Sequence, residues 1–199
     1  MKININDIKF WMDAIRNSED RDRTLESFWG GQLQSKEMLV KHLEYQCDYR
    51  KKYNIVIHGG WNGVLASLLF NSNLEIGSIT SVDIDPSVEE TAKTINKNQE
   101  MQGRFTAKTG DMCTDKYSAD IVINTSCEHL DKEKLQQWFN NIPKGTMYVM
   151  QSNNYTELEE HVNCVNSADE LAESVGTNDY DVAELVLPKY TRYMISGVK

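Results

Sequence analysis

The sequence predicts a doubly wound α/β sheet, mostly parallel, with a helical segment in front and an antiparallel hairpin strand at the end. Three observations carry this. From residue 53 onward, short apolar runs alternate with stretches of helical periodicity. The first run, Ile55-Val56-Ile57, meets a glycine turn, His58-Gly59-Gly60-Trp61-Asn62-Gly63, which opens into the apolar stretch Val64-Leu65-Ala66. The chain closes on two strand-like runs, 183–187 and 190–198, joined at Pro188-Lys189.

The elements follow in order. Residues 1–50 read as helical: Ile8, Trp11, Met12 and Ile15 share one face, and Leu39, Val40, Leu43 and Cys47 share another after a cap at Ser35. Residues 55–57 form a strand, 62–72 a helix, 79–82 a strand, and 86–101 a helix opened by Asp85-Pro86. A short strand at 104–108 runs into Gly110-Asp111, and 121–123 is the next strand. Residues 131–141 form a helix stopped by Pro143, and 147–150 a strand. Two capping boxes, Thr156-x-x-Glu159 and Ser167-x-x-Glu170, each predict a helix. No repeat, low-complexity tract or linker divides the 199 residues. They read as one domain, with 1–50 a helical cap and 53–199 the core.

A net charge of −9 argues against a protein that tracks nucleic-acid phosphates, which needs a basic face. Cys47, Cys113, Cys127 and Cys164 are widely spaced and form no Cys-x-x-Cys pair, a pattern of reduced thiols and a cytoplasmic setting. Neither a signal segment nor about 18 consecutive apolar residues is present, so no membrane association is expected. No His, Cys and Asp cluster has metal-ligand spacing, and His42 and His161 read as structural and surface residues. The oligomeric state is not legible.

The glycine turn and the strand ending in Asp83, 20 residues past Gly63, have the layout of a nucleoside-binding βαβ unit. Glycines permit close backbone approach, the helix start offers free N–H groups, and the carboxylate accepts ribose hydroxyls. As a dehydrogenase fingerprint, Gly60 and Gly63 fit, but His58 stands at the first glycine position. As the first motif of class I S-adenosylmethionine (SAM)-dependent methyltransferases, Gly59 and Gly63 fit, with Ile57 replacing the usual acid and Trp61 the middle glycine. Further along, Asp83-Ile84, Gly110-Asp111-Met112 and Asp120-Ile121-Val122-Ile123-Asn124 resemble the later motifs of that family. Residues 53–199 are therefore similar to class I SAM-dependent methyltransferases, more narrowly to small methyltransferase-like proteins of large bacterial viruses. The resemblance implies a Rossmann-like sheet and SAM as cofactor. His58, Gly59, Gly60, Trp61, Asn62, Gly63, Asp83, Ile84, Asp111, Met112 and Asn124 would then form the cofactor site, with Gly59 facing the ligand.

Two polar segments lie beyond the strand ends on the substrate side, 124–129 and 151–155. Glu128 and His129 are the candidate bases. Ser126, Gln151, Asn153 and Tyr155 are the candidate substrate contacts, and Trp29 and Gln32 candidate lid residues. The implied activity is methyl transfer (EC 2.1.1.-) to a small molecule or polar side chain. The turn also resembles that of aminopropyltransferases, which use decarboxylated SAM. The departures at Ile57 and Trp61 keep a non-catalytic SAM-binding module as a further alternative.

Overall fold

A computed structural model describes residues 2–116 and 118–199. Three helices come first: α1 (Ile5–Asn17), α2 (Arg21–Glu26) and α3 (Gly30–Gln46). The alternating part comprises β1 (Lys52–His58), α4 (Val64–Phe70), β2 (Glu75–Asp83), α5 (Glu89–Ile95), α6 (Lys97–Met101), β3 (Phe105–Thr109), β4 (Ile121–Asn124), α7 (Lys132–Asn141) and β5 (Met147–Asn153). It ends in α8 (Ala168–Val175), β6 (Asp181–Val186) and β7 (Thr191–Val198). The strands form one sheet in the order β3-β2-β1-β4-β5-β7-β6. β7 runs antiparallel to β5 and β6, and the other pairs are parallel. The predicted mixed sheet with its reversed hairpin strand is thus the observed one. After β3 the chain returns to the far side of β1, which opens a crevice at the carboxyl ends of β1 and β4.

The central strands are apolar on both faces because helices cover both. Ile55, Ile57, Ile121 and Ile123 pack with Leu39, Leu43, Leu65 and Leu69, while Val56, Val122 and Met150 pack with Leu135, Trp138 and Leu171. Among the described residues no helix is long and apolar enough to cross a membrane.

Four local expectations are corrected. α1 docks through Asp7, Trp11 and Ala14, leaving Ile8 and Met12 exposed. The buried Asp7 carboxylate accepts from the side-chain amides of Asn71 and Asn98, each at 2.8 Å, and Trp11 Nε1 donates to Ser67 Oγ at 2.9 Å. Ser35 lies inside α3 instead of capping it; its hydroxyl donates back to Gly31 O, the usual mid-helix outlet for serine. The helix expected over 86–101 is a short turn at Pro86–Val88 followed by α5 and α6. It breaks at Asn96, whose amide donates to Gly63 O and Ala92 O. Thr156 begins no helix, and the chain from 154 to 167 is irregular. The second box does open α8, with Ser167 Oγ accepting from Glu170 N at 3.0 Å, although Glu170 reaches back to Asn166 N instead of to Ser167 N.

Candidate functional site

The glycine turn is built by its neighbours. Gly60 N donates to Val82 O, Gly63 N to Gly60 O, and Trp61 N to Asp83 Oδ2 at 2.8 Å. Trp61 takes φ +47°, an uncommon conformation for a non-glycine residue that the Asp83 bond helps to hold. The other oxygen, Asp83 Oδ1, accepts from Asp85 N at 3.0 Å. A carboxylate has about four acceptor positions, so each oxygen keeps one for a ligand. Ile84 is exposed beside it. Asn62 is buried in the turn, and its Nδ2 has no hydrogen-bond partner among the described residues. A shallow cleft runs along this edge, lined by Trp61, Ser81, Asp83, Asp85, Val88 and Thr109.

Gly59 packs against the loop after β4. A Cβ on it would enter the Ser126 side chain, and one on Gly60 would enter Ser81. The missing side chains at these two positions leave room for Ser126 and Ser81. His58 is likewise turned into the protein, where its Nδ1 accepts from Trp138 Nε1 at 2.8 Å. Burial lowers its pKa from 6.5 to about 4, against the opposing charge of Asp115. Between pH 6.5 and 4 the unfolded chain therefore binds a proton that the folded chain refuses. Stability should fall by on the order of 3 kcal/mol as pH drops through that window. Urea melts at pH 7, 5 and 4 check this. His58→Asn keeps an acceptor for Trp138 and should remove that part of the slope; an unchanged slope would assign it to other groups.

Met112 and Asn124 meet across the crevice, with Asn124 Nδ2 donating to Met112 Sδ at 3.3 Å. Asn124 Oδ1 accepts from Ser126 N at 2.9 Å. Asp111 is exposed and its Oδ1 accepts from Cys113 N, closing a local turn. Asp85 caps the turn after β2, and hydrogen bonds from Ser87, with Arg23 beside it, hold its pKa at about 2.

The turn after β4 and the ends of β5 and β7 hold a buried polar group. Glu128 is buried, and its Oε1 accepts from Arg192 Nη1 at 2.7 Å and Asn153 Nδ2 at 2.6 Å. Asn153 Oδ1 also accepts from Tyr155 N, so both ends of that amide are committed. Gln151 points under α3 and donates to Ser35 O and Met194 Sδ. Lys36 lies in the same region and donates to Gln32 Oε1 at 2.8 Å. Burial, then the charge of Arg192, brings its pKa to about 7 against the pull of Glu128. Trp29, expected as a lid, is exposed at the start of α3. Lys36 and Arg192 were not singled out from sequence, because a lysine on a helix and an arginine on a strand ordinarily read as solvated.

Similar solved structures show the fold. PigF, solved with S-adenosylhomocysteine (SAH), matches 95% of this chain at a TM-score of 0.65 and 14% identity. The magnesium protoporphyrin IX methyltransferase ChlM from Synechocystis PCC 6803, also with bound SAH, matches 98% of it at 0.64 and 13%, over 95% of its own length. The chain carries the fold of the class I SAM-dependent methyltransferases. It spans 62% of the length of PigF and of the pyocyanin biosynthetic protein PhzM. No family model and no curated protein matches the chain in sequence. In methyltransferase terms, the turn 59–63, Asp83, Met112 and Asn124 gather at the crevice. Glu128 and Asn153 gather one strand further along, and Gln151 and His58 are withdrawn into the core.

Proposed function

We propose that the chain binds SAM at the crevice between β1 and β4 and transfers its methyl group to a polar acceptor held over the ends of β4 and β5. The observation that carries this reading is Asp83. Its carboxylate ends β2, is tied to the backbone of the glycine turn, and keeps acceptor positions for a pair of ribose hydroxyls. The orphaned amide of Asn62 and the exposed Ile84 beside Asp83 fit the same ligand, as a polar contact and an apolar cover for the adenine. Asp111 and Met112 are the further candidates on the adenine side.

SAM supplies an electrophilic methyl group on a sulfonium, and transfer then depends mainly on an acceptor held in line. Asn124 ends β4 and Ser126 belongs to the loop that leaves it beside the turn, where Ser126 Oγ donates to Gly59 O at 3.5 Å. Glu128 is held by Arg192 and Asn153, which suits it to orient a ligand more than to swing and collect a proton. His129 is exposed, and its Nδ1 bonds Glu160 O at 3.2 Å. The Nδ1 must carry the proton, because a carbonyl only accepts; Nε2 then offers the lone pair a general base requires.

Calorimetric titration tests the cofactor. SAM and SAH should bind and NAD should not; a clear preference for decarboxylated SAM would indicate aminopropyl transfer instead. Asp83→Ala should weaken SAM binding by about 1.5–3 kcal/mol, roughly 10- to 150-fold. Asp83→Asn should lie between the two, because it keeps one acceptor and loses the charge. Undiminished SAM affinity in a folded Asp83→Ala variant would remove the reading.

A further inference from the structure

The loop after β5 folds back onto the end of β4 and assembles a group that no sequence spacing announces. Asn163 N donates to Glu128 O at 3.0 Å, which brings His161 beside Glu128 and His129. The two imidazoles lie edge to face, with ring centroids 4.8 Å apart. One ring nitrogen from each and one Glu128 oxygen all lie within 4.8 Å of one another.

Two further features distinguish this group from a chance cluster. Both rings hold a backbone carbonyl through Nδ1, His129 that of Glu160 at 3.2 Å and His161 that of Tyr155 at 2.6 Å. Each ring therefore keeps its proton on Nδ1 and its lone pair on Nε2, the arrangement by which proteins orient metal-binding histidines. Glu128 is 3% exposed; Arg192 and Asn153 occupy Oε1, while Oε2 is buried with no hydrogen-bond partner among the described residues. A buried carboxylate oxygen left empty costs free energy unless something fills it.

The geometry points to a divalent transition-metal site of two histidines and one carboxylate, Glu128, His129 and His161. Ligand bonds of about 2.0–2.2 Å around one ion need the three donor atoms roughly 3–3.5 Å apart, a closure of about 1.3–1.8 Å from the present 4.8 Å spread. Imidazole donors favour zinc, cobalt, nickel or iron over magnesium and calcium. Three protein ligands leave coordination positions open, and an oxygen-bearing ligand would fill one; with the ion bound, His129 Nε2 is a ligand and not the general base. That this ligand is the methyl acceptor rests on the function proposed above; the metal site itself does not.

Metal-stripped protein is titrated calorimetrically with Zn²⁺ and followed by visible absorption with Co²⁺, in the absence of SAM. One equivalent should bind, with a Co²⁺ spectrum of nitrogen and oxygen ligation. His161→Ala and His129→Ala should each weaken binding by about 100-fold or more, beyond the 10- to 100-fold typical of changes to ligand-supporting groups. Both variants should keep the wild-type circular dichroism and SAM affinity, so a failure here is separable from a failure of cofactor binding. No binding by the wild type, or equal binding by His161→Ala, would overturn the site. A loss in Cys164→Ser that His161→Ala does not share would overturn it too, by moving the metal to the nearby thiol.

Discussion

Arg192→Met is expected to destabilise the protein by about 3–5 kcal/mol, the usual result of removing one partner from a buried ion pair. Arg192 and Glu128 are 6% and 3% exposed at their side chains and meet at 2.7 Å. Without the guanidinium, Glu128 keeps, among the described residues, the Asn153 amide on Oε1 and no partner on Oε2. The double replacement Arg192→Met with Glu128→Leu should recover most of the loss, since apolar side chains of similar volume need not shed tightly held water. Urea unfolding at pH 7 reads all three proteins. A single-variant cost below about 1 kcal/mol would mean that water reaches the pair and that it behaves like a surface contact.

Gly63→Ala should cost about 2–4 kcal/mol, combining left-handed backbone strain with overpacking. Gly63 has φ +73°, and a Cβ there would lie 2.7 Å from Asn96 Nδ2 and 3.0 Å from the Ala92 Cβ. Gly103 is the internal comparison: its φ is +69°, but nothing lies within 4 Å of its would-be Cβ. Gly103→Ala should therefore show the strain alone, about 1–2 kcal/mol. Equal losses in the two variants, read from urea midpoints at constant m, would show that the contact with α5 and Asn96 yields freely.

The strands were legible because two-sided burial leaves continuous apolar runs, as in Ile55-Val56-Ile57 and Ile121-Val122-Ile123. Helix starts were legible where one residue carries its own cap, as Asp131 does for α7 by accepting from Lys134 N. What failed depends on partners far along the chain. Asp7 is buried because amides at positions 71 and 98 satisfy it, so counting apolar residues on α1 selects the wrong face. In the turn, glycine spacing was visible, but the neighbours filling each missing Cβ come from β2, α5 and the loop after β4. His161 stands 33 residues from Glu128, in a stretch with no periodicity to report that it returns to β4.

The turn from Gly59 to Gly63 is anchored on every side: to Val82 and Asp83 on β2, to Ser126 after β4, and to Asn96 between α5 and α6. Its conformational entropy is thus surrendered during folding, not on encounter with a ligand. On the function proposed above, a ligand docking there would meet a backbone already ordered by these bonds, so little of its binding free energy would go to ordering a loop. Association should accordingly show a single kinetic phase with a rate linear in ligand concentration, and a heat-capacity change no larger than the apolar surface it covers.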